Sequence, residues 1–186
     1  MVRRVINIIG AIGSGKTTAA RLLAEQLQAP LIIADDVARE LAQPDGPLAD
    51  ALLRVFPGLE RTAIAHRIFT DPQAMQALAA ATDPPMIAEL QRRLQQCAAP
   101  LVLVEGVNLP TLLPHLVDIW VEVITAEETA LARAAAAHRW PPATIRACWR
   151  WQQAQPKPEP RHTIANDGDP AALRVAIAAF IAATLS

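Results

Sequence analysis

The residues with the plainest chemical purpose run from Gly10 to Thr17 and read Gly-Ala-Ile-Gly-Ser-Gly-Lys-Thr. The pattern G-x-x-x-x-G-K-[ST], set after an apolar strand and before a helix, is a loop whose backbone amides wrap phosphate groups. Glycines let the backbone approach closely, and the helix N-terminus that follows favours negative charge. Gly10, Ala11, Ile12, Gly13, Ser14, Gly15, Lys16, Thr17 and Thr18 are therefore the expected ATP-binding residues. Lys16 would reach the β- and γ-phosphates, and the Thr17 hydroxyl would ligate Mg²⁺. Two carboxylates are candidates to join them. Asp35 stands just past the second strand, where ligands of open parallel sheets bind. There it could take or orient the proton of an attacking hydroxyl. Asp36 competes for that job, and a plain helix cap is the alternative role for either. Glu105 ends the most apolar strand and is the expected second support of Mg²⁺, normally through water.

Arginines suit phosphate recognition, and Arg39, Arg61, Arg67, Arg133, Arg139, Arg146, Arg150 and Arg161 are available. Arg139, just after a helix and beside Trp140-Pro141-Pro142, has the setting of a lid residue. His66, His115, His138 and His162 lack metal-ligand spacing and are expected to be structural. Cys97 and Cys148 lie far apart in helical patterns and are expected to pack rather than react. Trp149 and Trp151 would face opposite sides of a helix; one could cover a base, but packing is the expected role, since Trp is usually mostly buried.

Elements must hold these residues in place. Val5–Ile9, Leu31–Ile33, Leu101–Val104, Ile119–Ile124 and His162–Ile164 read as short buried strands. Between them the spacing predicts helices over Thr17–Gln28, from Asp35 through Leu41, Pro47–Phe56, Thr62–Phe69, Pro72–Ala81, Met86–Ala98, Ala126–His138, from Pro141 through Trp151, and Ala171–Leu185. Asp35 or Asp36 is the expected cap of the second helix, and Thr70 or Asp71 that of the fifth. Thr125 and Glu128 read as a capping box. Gln155–Pro160 reads as extended, and Asn166-Asp167-Gly168-Asp169 as a turn. Strands alternating with helices predict an α/β fold with a central parallel sheet covered on both faces. The expectation is a single domain over residues 1–186, with a helical substrate block over 35–100 and a small lid at about 138–161.

The chain has 186 residues, 17 basic and 18 acidic, for a formal net charge of −1. That balance argues against a dedicated nucleic-acid binder. No apolar run reaches the roughly 20 residues a membrane span needs. The basic start followed by an apolar stretch imitates a signal peptide, but the stretch runs straight into the phosphate loop. A cytoplasmic protein acting on a small molecule is the expectation.

The order of these residues resembles the dephospho-coenzyme A kinase family of P-loop kinases. The family opens with G-G-I-G-S-G-K-S/T, where this chain has G-A-I-G-S-G-K-T. It continues I-D-A-D-x-I-A-R-E-L, against I-I-A-D-D-V-A-R-E-L at Ile32–Leu41. Phe56, Arg61, Ile68-Phe69 and Asp71-Pro72 follow its next block, Ala126–Arg133 its E-E-T-Q-L-x-R helix, and Thr163–Gly168 its last strand. The resemblance implies transfer of the γ-phosphoryl of ATP to the 3′-hydroxyl of dephospho-CoA. It implies Asp35 as the acceptor-activating residue, Arg39 as substrate-binding, Arg139 as the lid arginine and Asn166 near the adenine. Four stretches differ from the family: Ile33 replaces an aspartate, Asp83-Pro84 replaces His-Pro, Gly106–Leu109 replaces P-L-L-F-E, and Pro156–Pro160 replaces a charged helical stretch. These differences leave two other functions open. One is a kinase of a nucleoside-like hydroxyl, for which Glu105-Gly106 matches the uridine kinase group. The other is a nucleotide-binding regulator with little turnover.

Overall fold

The computed structural model describes residues 3–58, 60–159 and 161–185, and only the backbone of Arg61. Pro160 and the Arg61 side chain lie outside the described residues. Five strands carry the fold: β1 Arg4–Ile9, β2 Leu31–Ile33, β3 Leu101–Glu105, β4 Ile119–Ile124 and β5 His162–Ala165. All neighbours pair in parallel, in the order β2-β3-β1-β4-β5. The expected α/β sheet is therefore present, and its strands' C-terminal ends share one edge.

Alternate strand residues point to opposite faces, so each face builds its own core. Ile6, Ile8, Leu103, Val121 and Ile164 pack against α1 (Lys16–Leu27) and α9 (Pro170–Thr184), through Ala20, Leu23, Leu173 and Ile177. Val5, Val102 and Val104 pack against α2 (Ala34–Leu41) and α5 (Pro72–Gln96), through Val37, Met86, Leu90 and Leu94. Each fully buried Leu or Ile contributes about 1.5–3 kcal/mol by leaving water.

The remaining helices are α3 Ala49–Val55, α4 Arg61–Thr70, α6 Leu109–Leu112, α7 Glu127–Ala137 and α8 Pro142–Gln153. Several expectations need correction. The helices expected over Pro72–Ala81 and Met86–Ala98 are one continuous helix, with Pro84 and Pro85 inside it. A proline forfeits its own N–H bond, but Met86, Leu90 and Leu94 bury against β3 on the far side of the break, and that packing outweighs the local cost. Asp71 does cap this helix, accepting from the Gln73 N–H at 2.9 Å. Neither Asp35 nor Asp36 caps α2: the cap is Ile33, and both acids sit in the first turn, where the helix dipole favours them. The capping box of Thr125 and Glu128 is not formed. Thr125 donates instead to the Asn166 carbonyl at 2.6 Å, and the Asp167 carboxylate accepts from the Ala126 N–H at 2.7 Å. The start of α7 is thus capped from a turn 41 residues away. Helix α3 begins at Ala49 rather than Pro47, and the short α6 was not expected.

Candidate active site

The phosphate loop is shaped from three sides. Gly15 is the N-cap of α1 with φ 82°, a left-handed conformation that side chains resist. Gly13 is also left-handed, at φ 75°, and a Cβ there would collide with the Ala130 carbonyl of α7. Asn166 donates its side-chain N–H to the Ser14 carbonyl at 2.7 Å, and Arg133 holds the Asn166 carbonyl at 2.7 Å. Asn166 is buried. The side-chain amide oxygen of Gln152, at the end of α8, accepts from the Ile12 N–H at 2.5 Å. Lys16 opens α1, with Thr17 and Thr18 following.

Glu105 sits at the end of β3, level with Ile8 of β1 and Ile33 of β2. It is 1% exposed and accepts from the Thr17 hydroxyl at 2.9 Å. Burial pushes its carboxyl above the ordinary value near 4.5. The charge of Lys16 and the Thr17 hydrogen bond oppose that rise, whereas Asp35 and Asp36 add to it. Lys16, Thr17, Glu105 and the start of α2 therefore share one electrostatic neighbourhood at the sheet's C-terminal edge. A Cβ on Gly106 would crowd Ala34, so the bare backbone there lets α2 start close to β3.

The two acids of α2 behave differently. Asp36 accepts from Arg39 at 2.6 Å, an exposed pair one helical turn apart. Asp35 is exposed and makes no ion pair among the described residues. Arg39 consequently lies on α2 beside the two acids, but held by one of them. Arg139 lies in the α7–α8 joint, exposed and without an ion pair among the described residues.

A hydroxyl paired with a nearly dry carboxylate is a hard-oxygen donor set, and a carboxyl pushed upward by burial gains from a cation beside it. Thr17 and Glu105 therefore fit Mg²⁺. Among the described residues no group of three or more His, Cys, Asp or Glu side chains forms a fuller cage.

The tryptophans part company. Trp149 lines a cavity of about 250 Å³ with Ala11, Ser14, Glu122 and Lys157, whereas Trp151 packs on Phe69 at 5.9 Å. Phe69 also meets Trp140 at 6.1 Å, and His66 pairs with the buried Thr144 hydroxyl at 2.9 Å, so α4 is strapped to α8. Cys148 is buried and its thiol is pushed up to about 12 by that burial, which leaves it inert; Cys97 is also unpaired. Sequence reasoning missed Gln152, Asp167 and Glu122, and offered Arg133 only as one of eight available arginines. Of the three, only Glu122 carried a signal, as an acid inside the apolar run Ile119–Ile124.

With this geometry, a family model described as dephospho-CoA kinase matches residues 4–167. The chain belongs to the dephospho-CoA kinase family. The dephospho-CoA kinase of Xanthomonas axonopodis pv. citri is 36% identical over 108 residues, covering 54% of this chain and 52% of that protein. That of Geobacter metallireducens is 34% identical over 147 residues, covering 69% and 70%. The chain thus spans between about half and 70% of the length of these relatives. The crystal structure of TT1252 from Thermus thermophilus superimposes with TM-score 0.75 at 26% identity, covering 99% of each chain. The fold is that of the P-loop kinases. Among the described residues no helix is long and apolar enough to cross a membrane.

Proposed function

We propose that this member of the family transfers the γ-phosphoryl group of ATP to the ribose 3′-hydroxyl of dephospho-CoA, in the cytoplasm. The observation that carries the reading is the convergence of Lys16, the Thr17–Glu105 pair and the unpaired Asp35 at one edge of the sheet. Asp36 is engaged by Arg39, which leaves Asp35 as the carboxylate free to act on an acceptor.

The residues divide the work as follows. Loop amides from Gly13 to Thr18 and the Lys16 ammonium bind the phosphates and offset charge that builds on the transferring group. Asp35 accepts the proton of the attacking hydroxyl. Arg39 binds the acceptor once released from Asp36, and Arg139 would reach the phosphates when the α7–α8 joint folds over them. Asn166 sits beside Gly15, within reach of the nucleotide's base. Thr17 and Glu105 would hold Mg²⁺, which supplies neutralisation of the phosphate charge. The four stretches that differ from the family bear on the acceptor: Ile33 lies in β2 beside Glu105, and Asp83 is half-buried on α5 with its carboxyl raised by desolvation.

The test is ADP release from ATP and Mg²⁺ with dephospho-CoA beside a panel of nucleosides. Release that requires dephospho-CoA supports the proposal. Release with a nucleoside alone would assign the altered stretches to a new acceptor. Tight ATP binding with no transfer to any acceptor would make the chain a regulator.

A further inference from the structure

Strand β4 is apolar apart from one residue. Ile119, Trp120, Val121 and Val123 are buried, and so is Glu122, at 5% exposure. Its backbone is level with Ile9, the residue before Gly10, so the carboxylate lies beneath the root of the phosphate loop. One carboxylate oxygen meets the Lys157 ammonium at 2.5 Å and the other accepts from Arg161 Nε at 2.8 Å. A buried carboxylate left alone is costly, so two cations from one stretch of chain constitute a strongly specified contact. That stretch is also fastened at its other end, where Gln152 accepts from the Ile12 N–H. Between the two fastenings lies the cavity lined by Ala11, Ser14 and Trp149. The Ser14 hydroxyl and the Trp149 indole N–H are buried there without protein partners.

We infer that Glu122 is a positioning residue: it latches the chain after α8 against the phosphate loop through Lys157 and Arg161. The latched stretch walls the cavity beside the loop and limits water there. With the latch undone, water replaces the acceptor. Its oxygen bonds to the γ-phosphorus, the bond to the ADP oxygen breaks, and the proton passes to solvent, giving ADP and inorganic phosphate. This last consequence rests on the kinase reading; the latch does not.

Amide hydrogen exchange on the nucleotide-free protein tests the latch directly. In Glu122→Gln, and in the Lys157→Gln/Arg161→Gln double variant that leaves the strand untouched, the Ile12 amide and the non-proline amides of residues 152–155, 157, 159 and 161 should exchange about tenfold faster or more. Amides of β1 and β3 should be unchanged, and Glu122→Asp should retain most of the protection. In turnover, the ratio of acceptor-independent ATP hydrolysis to transfer should rise several-fold in both variants. Unchanged exchange in the double variant would overturn the latch. So would loosening of the whole sheet in Glu122→Gln while the double variant stays protected, since Glu122 would then serve packing alone. Faster local exchange in a protein that transfers to no acceptor would keep the latch and remove the kinase reading.

Discussion

Two carboxylates near the loop make opposite demands on their surroundings. Asp35 is exposed and unpaired, as a group that must meet an acceptor requires. Asp35→Asn should lower transfer by about 10²–10⁴-fold with ATP binding retained, since it removes the proton acceptor and little else. Equal turnover in the variant would dismiss Asp35 from the chemistry. Glu105 is nearly dry, and its folded-state value lies above the ordinary one, with burial the main cause. The protonated form is therefore favoured by folding. That stabilisation is present in full below about pH 4.5 and is lost as pH rises through the raised value. Glu105→Gln keeps an acceptor for the Thr17 hydroxyl without the buried charge. Without nucleotide it should melt higher than the parent at pH 7, and the gap should close toward pH 4. Its Mg²⁺-dependent transfer should fall by about two orders of magnitude or more. A gap that widens in acid would contradict the assignment of burial as the cause.

At the scale of elements, α5 shows how packing overrides a local signal. Pro84→Ala restores a helical N–H at an exposed position, and should raise the melting temperature by several degrees, given about 3 kcal/mol for an interior proline and about 2–4 °C per kcal/mol at this size. A drop would mean that the proline itself helps seat Met86 and Leu90. Local spacing therefore made the five strands legible, because a run such as Leu101–Val104 needs only its own apolar residues to be recognised. It could not join Pro72–Ala81 to Met86–Ala98, because the contacts that hold the second half in line lie on β3. The Thr125–Glu128 box failed for a similar reason: the Thr125 hydroxyl is claimed by the distant Asn166 carbonyl. In the site, the loop, Glu105 and the position of Asp35 were legible, since each follows a strand end. The choice between Asp35 and Asp36 needed the Arg39 pair, and Gln152 needed the fold of α8 onto Ile12. Asn166→Ala tests another such long-range contact: losing its bond to the Ser14 carbonyl should weaken ATP binding roughly tenfold, from about 1–2 kcal/mol of lost loop order, with acceptor affinity unchanged. ATP affinity equal to the parent's, by calorimetry, would contradict a bracing role.

Across the whole molecule, three bodies of chain meet at the loop. The sheet brings Glu105 and the loop itself. The helices between β2 and β3 bring Asp35 and Arg39, and α4 among them is tied to α8 through His66–Thr144 and the Phe69–tryptophan contacts. The chain after α8 returns to Glu122 beneath the loop. The helix block that carries Asp35 and Arg39 is thereby tied through α4 and α8 to the stretch that returns to Glu122. Whether this assembly serves dephospho-CoA is decided by ADP release measured with dephospho-CoA and with nucleosides. A dephospho-CoA kinase should show release that depends on dephospho-CoA, is abolished in Lys16→Ala and falls by about 10²–10⁴-fold in Asp35→Asn. Release that ignores dephospho-CoA but follows a nucleoside would contradict it.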